Sequence, residues 1–127
     1  MSKIKFIFVS MREDYFYKKS ELRSGVDQNL IKWIFSLDLC PILVPNIKLL
    51  NTYLKLKNLE IFGIILSGGN NIDKNSSRYK VEKKLVNLSK KNNIPILGIC
   101  HGLQFLNYID GGSLKKIKNH VGIKHKI

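Results

Sequence analysis

The 127-residue chain reads as an α/β domain: an open, doubly wound, mainly parallel sheet in three layers, with helices on both faces. Two observations carry this reading. Four short apolar runs rich in β-branched residues recur along the chain, and segments with helical spacing lie between them. The last run leads directly into Gly98-Ile99-Cys100-His101-Gly102, a glycine-bracketed cysteine at a strand-to-helix turn.

Residues 4–9 form the first predicted strand. Lys5 interrupts the run and no small-residue cleavage site follows, so a strand fits better than a signal peptide. Val26, Leu30, Trp33, Ile34 and Leu37 then recur at helical intervals, with Asp27, Gln28 and Lys32 on the opposite face, and Trp33 is expected in the core. Residues 41–44 form the second strand, with Cys40 as a buried small hydrophobe beside Pro41. Leu50, Tyr53, Leu54 and Lys57 suggest a shorter, weaker helix. Residues 61–66 form the third strand, which runs into Ser67-Gly68-Gly69-Asn70-Asn71. Val81, Leu85 and Leu88 make the next helical stripe, and Arg78 and Glu82, one turn apart, are expected to pair across the helix surface. The fourth strand covers residues 94–99, and residues 103–108 open a helix.

Composition narrows the function classes. A hydrophobic content of 44% and a charged content of 24% are ordinary for a globular domain, and no apolar stretch approaches the roughly 20 residues needed to span a bilayer. The expectation is a cytoplasmic protein with no membrane partner. Cys40 and Cys100 lack any C-x-x-C spacing, which argues against a disulfide framework. Cys100, His101, His120 and His125 lack metal-ligand spacing, so neither a metal nor a cofactor is expected. The net charge of +13 invites a nucleic-acid reading, but the bases are mostly scattered lysines, with arginine only at positions 12, 23 and 78. Specific nucleic-acid sites use clustered, aromatic-interleaved arginine, so that function is disfavoured. Lys115, Lys116 and Lys118 read as a solvated face.

The chemistry gathers at two strand ends. In an open parallel sheet, ligands bind beyond the carboxyl ends of the strands, and both Gly68-Gly69 and Cys100 lie there. A cysteine on a sharp elbow at a helix start is exposed and its thiolate is favoured. Paired glycines let backbone N–H groups approach a ligand closely, as an oxyanion hole requires.

These residues resemble the class I glutamine amidotransferase-like proteins, and within them the γ-glutamyl-γ-aminobutyrate hydrolase, or peptidase C26-like, group. The resemblance rests on three motifs in order: residues 63–72 through Ser67-Gly68-Gly69-Asn70-Asn71, residues 94–107 around Gly98-Ile99-Cys100-His101-Gly102, and Gly111-Gly112-Ser113-Leu114. Weaker similarity runs through residues 23–37 and 41–46. The resemblance implies a flavodoxin-like fold and hydrolysis of a small γ-glutamyl amide through a cysteine thioester, releasing glutamate. Cys100 would be the nucleophile, the backbone N–H groups of Gly69 and His101 the oxyanion hole, and Gly68 and Gln104 substrate contacts. One branch of the family cleaves a cytidine-diphosphate-linked glutamine while making capsule phosphoramidate, and the basic tail is compatible with that branch.

The resemblance also implies a catalytic histidine and glutamate in a later segment, past Ile127. The expectation is therefore a domain incomplete at its C-terminus and inactive alone, calling for a homo-oligomer or a complementing C-terminal segment. His101 follows the cysteine directly, so its side chain is expected to point away from the thiol. His120 and His125 match a segment that precedes the family's histidine. The competing readings are a catalytically inactive remnant or partner-binding subunit of the same fold, and a protease or chaperone of the related cysteine-elbow superfamily. The match at residues 111–114 disfavours the last.

Overall fold

The computed structural model describes residues 3–18, 20–47, 52, 60–118 and 124. The suggested helix through Leu50, Tyr53, Leu54 and Lys57, together with His120 and His125, lies outside the described residues.

In chain order the elements are β1 (Lys5–Ser10), β2 (Arg12–Phe16), β3 (Glu21–Gly25), α1 (Gln28–Ser36), β4 (Leu39–Val44), β5 (Ile61–Leu66), α2 (Ser77–Asn92), β6 (Ile96–Gly98) and α3 (His101–Ile109). The four main strands form one parallel sheet in the order β4-β1-β5-β6. β1 is central and its neighbours lie on either side, so the chain reverses its winding direction there. The crevice beyond β1 and β5 is the switch point of the sheet.

Alternation along β1 divides the core between two faces. Phe8 joins Ile64, Leu66, Val81, Leu85, Val86 and Phe105 beneath α2 and α3. Ile7 and Val9 join Ile34 and Ile65 beneath α1. The predicted fold class is thus the observed one, with helices on both faces.

Local chemistry sets the helix ends. The Asp27 side chain accepts from the Asn29 N–H and starts α1, and Ser76 accepts from the Tyr79 N–H and starts α2. Asn93 ends α2 in the left-handed conformation, φ 53°.

Several expectations need correction. Trp33 is 45% exposed, because α1 covers only part of its face and leaves Trp33 beside an open apolar groove with Phe62 and Leu97. Cys40 is half-buried rather than fully buried. The fourth strand is only Ile96–Gly98, since the Pro95 ring has no N–H to give to a ladder. The helix after the cysteine begins at His101 rather than at residue 103.

One element has no counterpart in the sequence reading: the antiparallel β2–β3 hairpin, inserted between β1 and α1. Its turn uses positive φ at Tyr17 (51°) and Lys18 (54°), positions where hairpins normally carry Asn or Gly. The usual sequence signal is therefore missing. Side chains tether the hairpin to the domain: Asn46 Nδ2 donates to the Met11 carbonyl (2.9 Å), and Asn70 bonds both main-chain groups of Glu13, each at 2.8 Å.

Candidate active site

Three strand ends build the site. At β6, Cys100 takes φ 49° and ψ −108°, a conformation that costs a side chain of its kind roughly 1–3 kcal/mol. The strain persists because the surroundings leave no alternative. A β-carbon on Gly102 would lie 2.1 Å from the Leu66 carbonyl oxygen, and one on Gly98 would lie 2.6 Å from the Gly102 backbone. Only glycine at both positions lets α3 fold back over β5 and β6 and leaves the Cys100 side chain exposed on the bend. The N-cap residue of α3 is Cys100 itself, with no side-chain cap, so the positive end of the helix lies at the cysteine.

At the end of β5, the glycine turn comes up against this elbow. A β-carbon on Gly68 would stand 3.5 Å from Cys100 Cβ. Gly69 has φ +92°, a left-handed conformation that glycine adopts without strain. Arg12, ion-paired with Asp14 at 2.8 Å, lies against Gly69 on the hairpin side.

Beneath both loops runs a buried charged network. Arg78 and Glu82 pair at 2.5 Å with side chains only 2% and 0% exposed. They do not pair across the helix surface: α2 turns this pair inward, toward the ends of β1 and β5. Arg78 Nη2 donates to the Ser67 carbonyl at 2.6 Å. Its Nη1 donates to the Gly68 carbonyl at 3.3 Å, to Asn70 Oδ1 at 3.1 Å, and to the Gly69 carbonyl. Burial pulls the Arg78 guanidinium below its usual pKa, opposed by the adjacent Glu82 carboxylate. Glu82 also accepts from Ser10 Oγ at the end of β1 (3.4 Å) and meets His101 Nε2 at 2.9 Å. Ser10 Oγ in turn accepts from the Ser67 N–H at 2.9 Å.

His101 Nδ1 lies 3.0 Å from the Asn70 carbonyl. Both ring nitrogens thus face oxygen atoms of the network. The imidazole is 5% exposed and both ring nitrogens are engaged by Glu82 and Asn70, which leaves neither to serve as a base for the thiol.

Cys100, Gly68, Gly69 and His101 are thus brought together. Gln104 sits one turn into α3, exposed, with its N–H bonded to the Cys100 carbonyl (3.0 Å). Sequence reasoning missed Ser10 and Asn70, and took the Arg78–Glu82 spacing for a surface pair. Had the two residues been assigned to the buried stripe of Val81 and Leu85, their spacing would have pointed to this network. Among the described residues, no group of three His, Cys, Asp or Glu could hold a metal, and no helix is long and apolar enough to cross a membrane.

A parallel sheet carrying a strained cysteine elbow and a glycine turn at its switch point defines an α/β domain with its ligand crevice at the strand ends. The chain belongs to the glutamine amidotransferase class-I family, whose model matches residues 21–127. It is similar to a GMP synthase [glutamine-hydrolyzing] of Limosilactobacillus reuteri, 38% identical over 65 residues, which covers 51% of this chain and 12% of that protein. The Dictyostelium discoideum GMP synthase is 46% identical over 55 residues, covering 43% of this chain and 7% of that one. A gamma-glutamyl-CDP-amidate hydrolase of Campylobacter jejuni is 33% identical over 73 residues, covering 53% of this chain and 36% of the relative. The matched stretch therefore spans well under half the length of each of these relatives.

Proposed function

We propose that this chain carries the nucleophile-bearing part of a γ-glutamyl amide hydrolase, with Cys100 attacking the side-chain amide carbonyl of glutamine or a γ-glutamyl conjugate. The sulfur–carbon bond forms as the carbonyl electron pair moves to oxygen. When the tetrahedral intermediate collapses, the carbon–nitrogen bond breaks and the amine leaves with a proton. Water then cleaves the thioester, releasing glutamate and restoring the thiol. The oxyanion is held by the N–H groups of Gly69 and His101, while Gly68 and Gln104 contact the glutamyl group. Loss of one such donor typically costs about 10²–10³ in rate.

The observation that carries this reading is the approach of the glycine turn to the strained cysteine: a β-carbon at Gly68 would be in van der Waals contact with Cys100 Cβ. Two loops far apart in sequence meet where a nucleophile and its oxyanion donors are needed together. Similarity to the gamma-glutamyl-CDP-amidate hydrolase supports a nucleotide-linked glutamine as one substrate to assay, alongside glutamine. His101 is committed to Glu82 and Asn70 and is not assigned as the proton acceptor for Cys100.

The test is glutamate release from glutamine and from γ-glutamyl conjugates by the chain and by Cys100→Ala. Release above the Cys100→Ala background supports the reading. Equal rates overturn it for this polypeptide and favour a non-catalytic, partner-binding role for the fold.

A further inference from the structure

We infer that Arg78 is a positioning residue for the oxyanion hole: it grips the carbonyls of the glycine turn from beneath, and this aims the N–H groups of that turn at the substrate. The inference rests on the proposed role of Gly69 and extends it to a buried side chain that touches no substrate.

Three successive carbonyls, those of Ser67, Gly68 and Gly69, accept from the one Arg78 guanidinium. In a trans peptide the C=O of one residue and the N–H of the next point in opposite directions. Holding the Gly68 carbonyl on Arg78 therefore turns the Gly69 N–H to the other side of the turn. Gly69 at φ +92° has no intrinsic preference for that peptide orientation, since glycine populates both hands of the map about equally. Something outside the turn must select it, and a planar fork of five donors suits several carbonyls at once. Asn70 Oδ1, held by the same guanidinium, ties the next residue down as well.

Glu82 completes the device. It fixes the Arg78 fork through Nε and holds His101, the residue after the nucleophile, through Nε2. One buried carboxylate thus sets both proposed donors, Gly69 through Arg78 and His101 directly. The arrangement is preorganised, so the donors need no rearrangement when charge develops on the oxygen.

The test separates oxyanion binding from thiol reactivity in the full chain. The probe is glutarate semialdehyde labelled with ¹³C at its aldehyde carbon, the aldehyde analogue of a glutamyl side chain without the amine. Cys100 adds to it reversibly: the sulfur–carbon bond forms, the carbonyl pair moves to oxygen, and that oxygen takes up the thiol proton, with no leaving group and no redox change. Iodoacetamide, which alkylates the same thiol by displacement and builds no oxyanion, is the control.

In the wild-type chain the adduct should form and shift the Gly69 amide resonance. An adduct that leaves that resonance unmoved would overturn the oxyanion-hole reading itself. Arg78→Lys keeps the charge beside Glu82 but cannot fan across three carbonyls. It should weaken the thiohemiacetal at least tenfold while changing the iodoacetamide rate less than twofold. Wild-type-like adduct affinity in Arg78→Lys, with the wild-type Gly69 shift present, would overturn the role of Arg78. Should Arg78→Lys fail to fold, Glu82→Gln, which keeps the side-chain size but replaces one of the two acceptor oxygens by a donor and removes the charge that holds the Arg78 fork, is measured the same way. Loss of adduct affinity at constant iodoacetamide rate supports the inference, and unchanged affinity overturns it.

Discussion

Replacing Glu82 by alanine removes the counter-charge of a guanidinium that is 2% exposed and leaves His101 Nε2 and Ser10 Oγ without their shared acceptor. The positive charge cannot reach water from that depth, and the turn carbonyls it holds are dipoles that do not neutralise it. Breaking a buried pair by removing one partner typically costs about 3–5 kcal/mol. Against a total of roughly 5–15 kcal/mol for a domain of this kind, that is a fifth or more of its stability. The folded-to-unfolded ratio should fall by about 10²–10⁴, at 1.4 kcal/mol per tenfold.

Urea titration followed by far-UV circular dichroism measures this change as a lower midpoint at constant slope. The double replacement Arg78→Met with Glu82→Leu removes both charges but strands the Ser67, Gly68 and Gly69 carbonyls and the His101 and Ser10 contacts, so it should recover only part of the loss. A loss below about 1 kcal/mol in Glu82→Ala would refute the claim that the network is a desolvated charge pair.

Other perturbations follow from the same contacts. Gly102→Ala would place a β-carbon 2.1 Å from the Leu66 carbonyl, so α3 must detach from β5; the expected cost is about 3 kcal/mol or more, read as a lower melting temperature and loss of near-UV signal. Cys100→Gly relieves the strain of φ 49°, ψ −108°, and should melt several degrees above Cys100→Ala, a gain of about 1–2 kcal/mol. Phe105→Ala empties a fully buried site that touches Tyr79 edge-on at 5.3 Å, and should cost about 3–5 kcal/mol in urea titration.

The parts of the fold legible in the sequence were those governed by local rules. β1, β4 and β5 announce themselves as apolar runs, and α2 by its stripe of Val81, Leu85 and Leu88. The β2–β3 hairpin was not legible, because its five-residue strands are largely exposed and its turn takes left-handed residues without Gly or Asn. Trp33 misled for a related reason. Periodicity reports which face of a helix turns to the sheet, but not how far the helix covers it.

By itself the sequence determined the bend at Gly98, whose missing β-carbon leaves room for the nearby Gly102 backbone, a local matter; the need for glycine at 102 comes from the Leu66 carbonyl of β5. The sequence also determined the glycine turn, and the common location of bend and turn at strand ends. Only the tertiary structure decided that Arg78 and Glu82 face inward, and that one carboxylate joins Ser10, Arg78 and His101 from three different elements. The physical reason is burial. A residue pair at helical spacing is a minor surface interaction or a costly buried charge according to which side of the helix meets the sheet, and the packing of β1, β5 and α2 alone decides that.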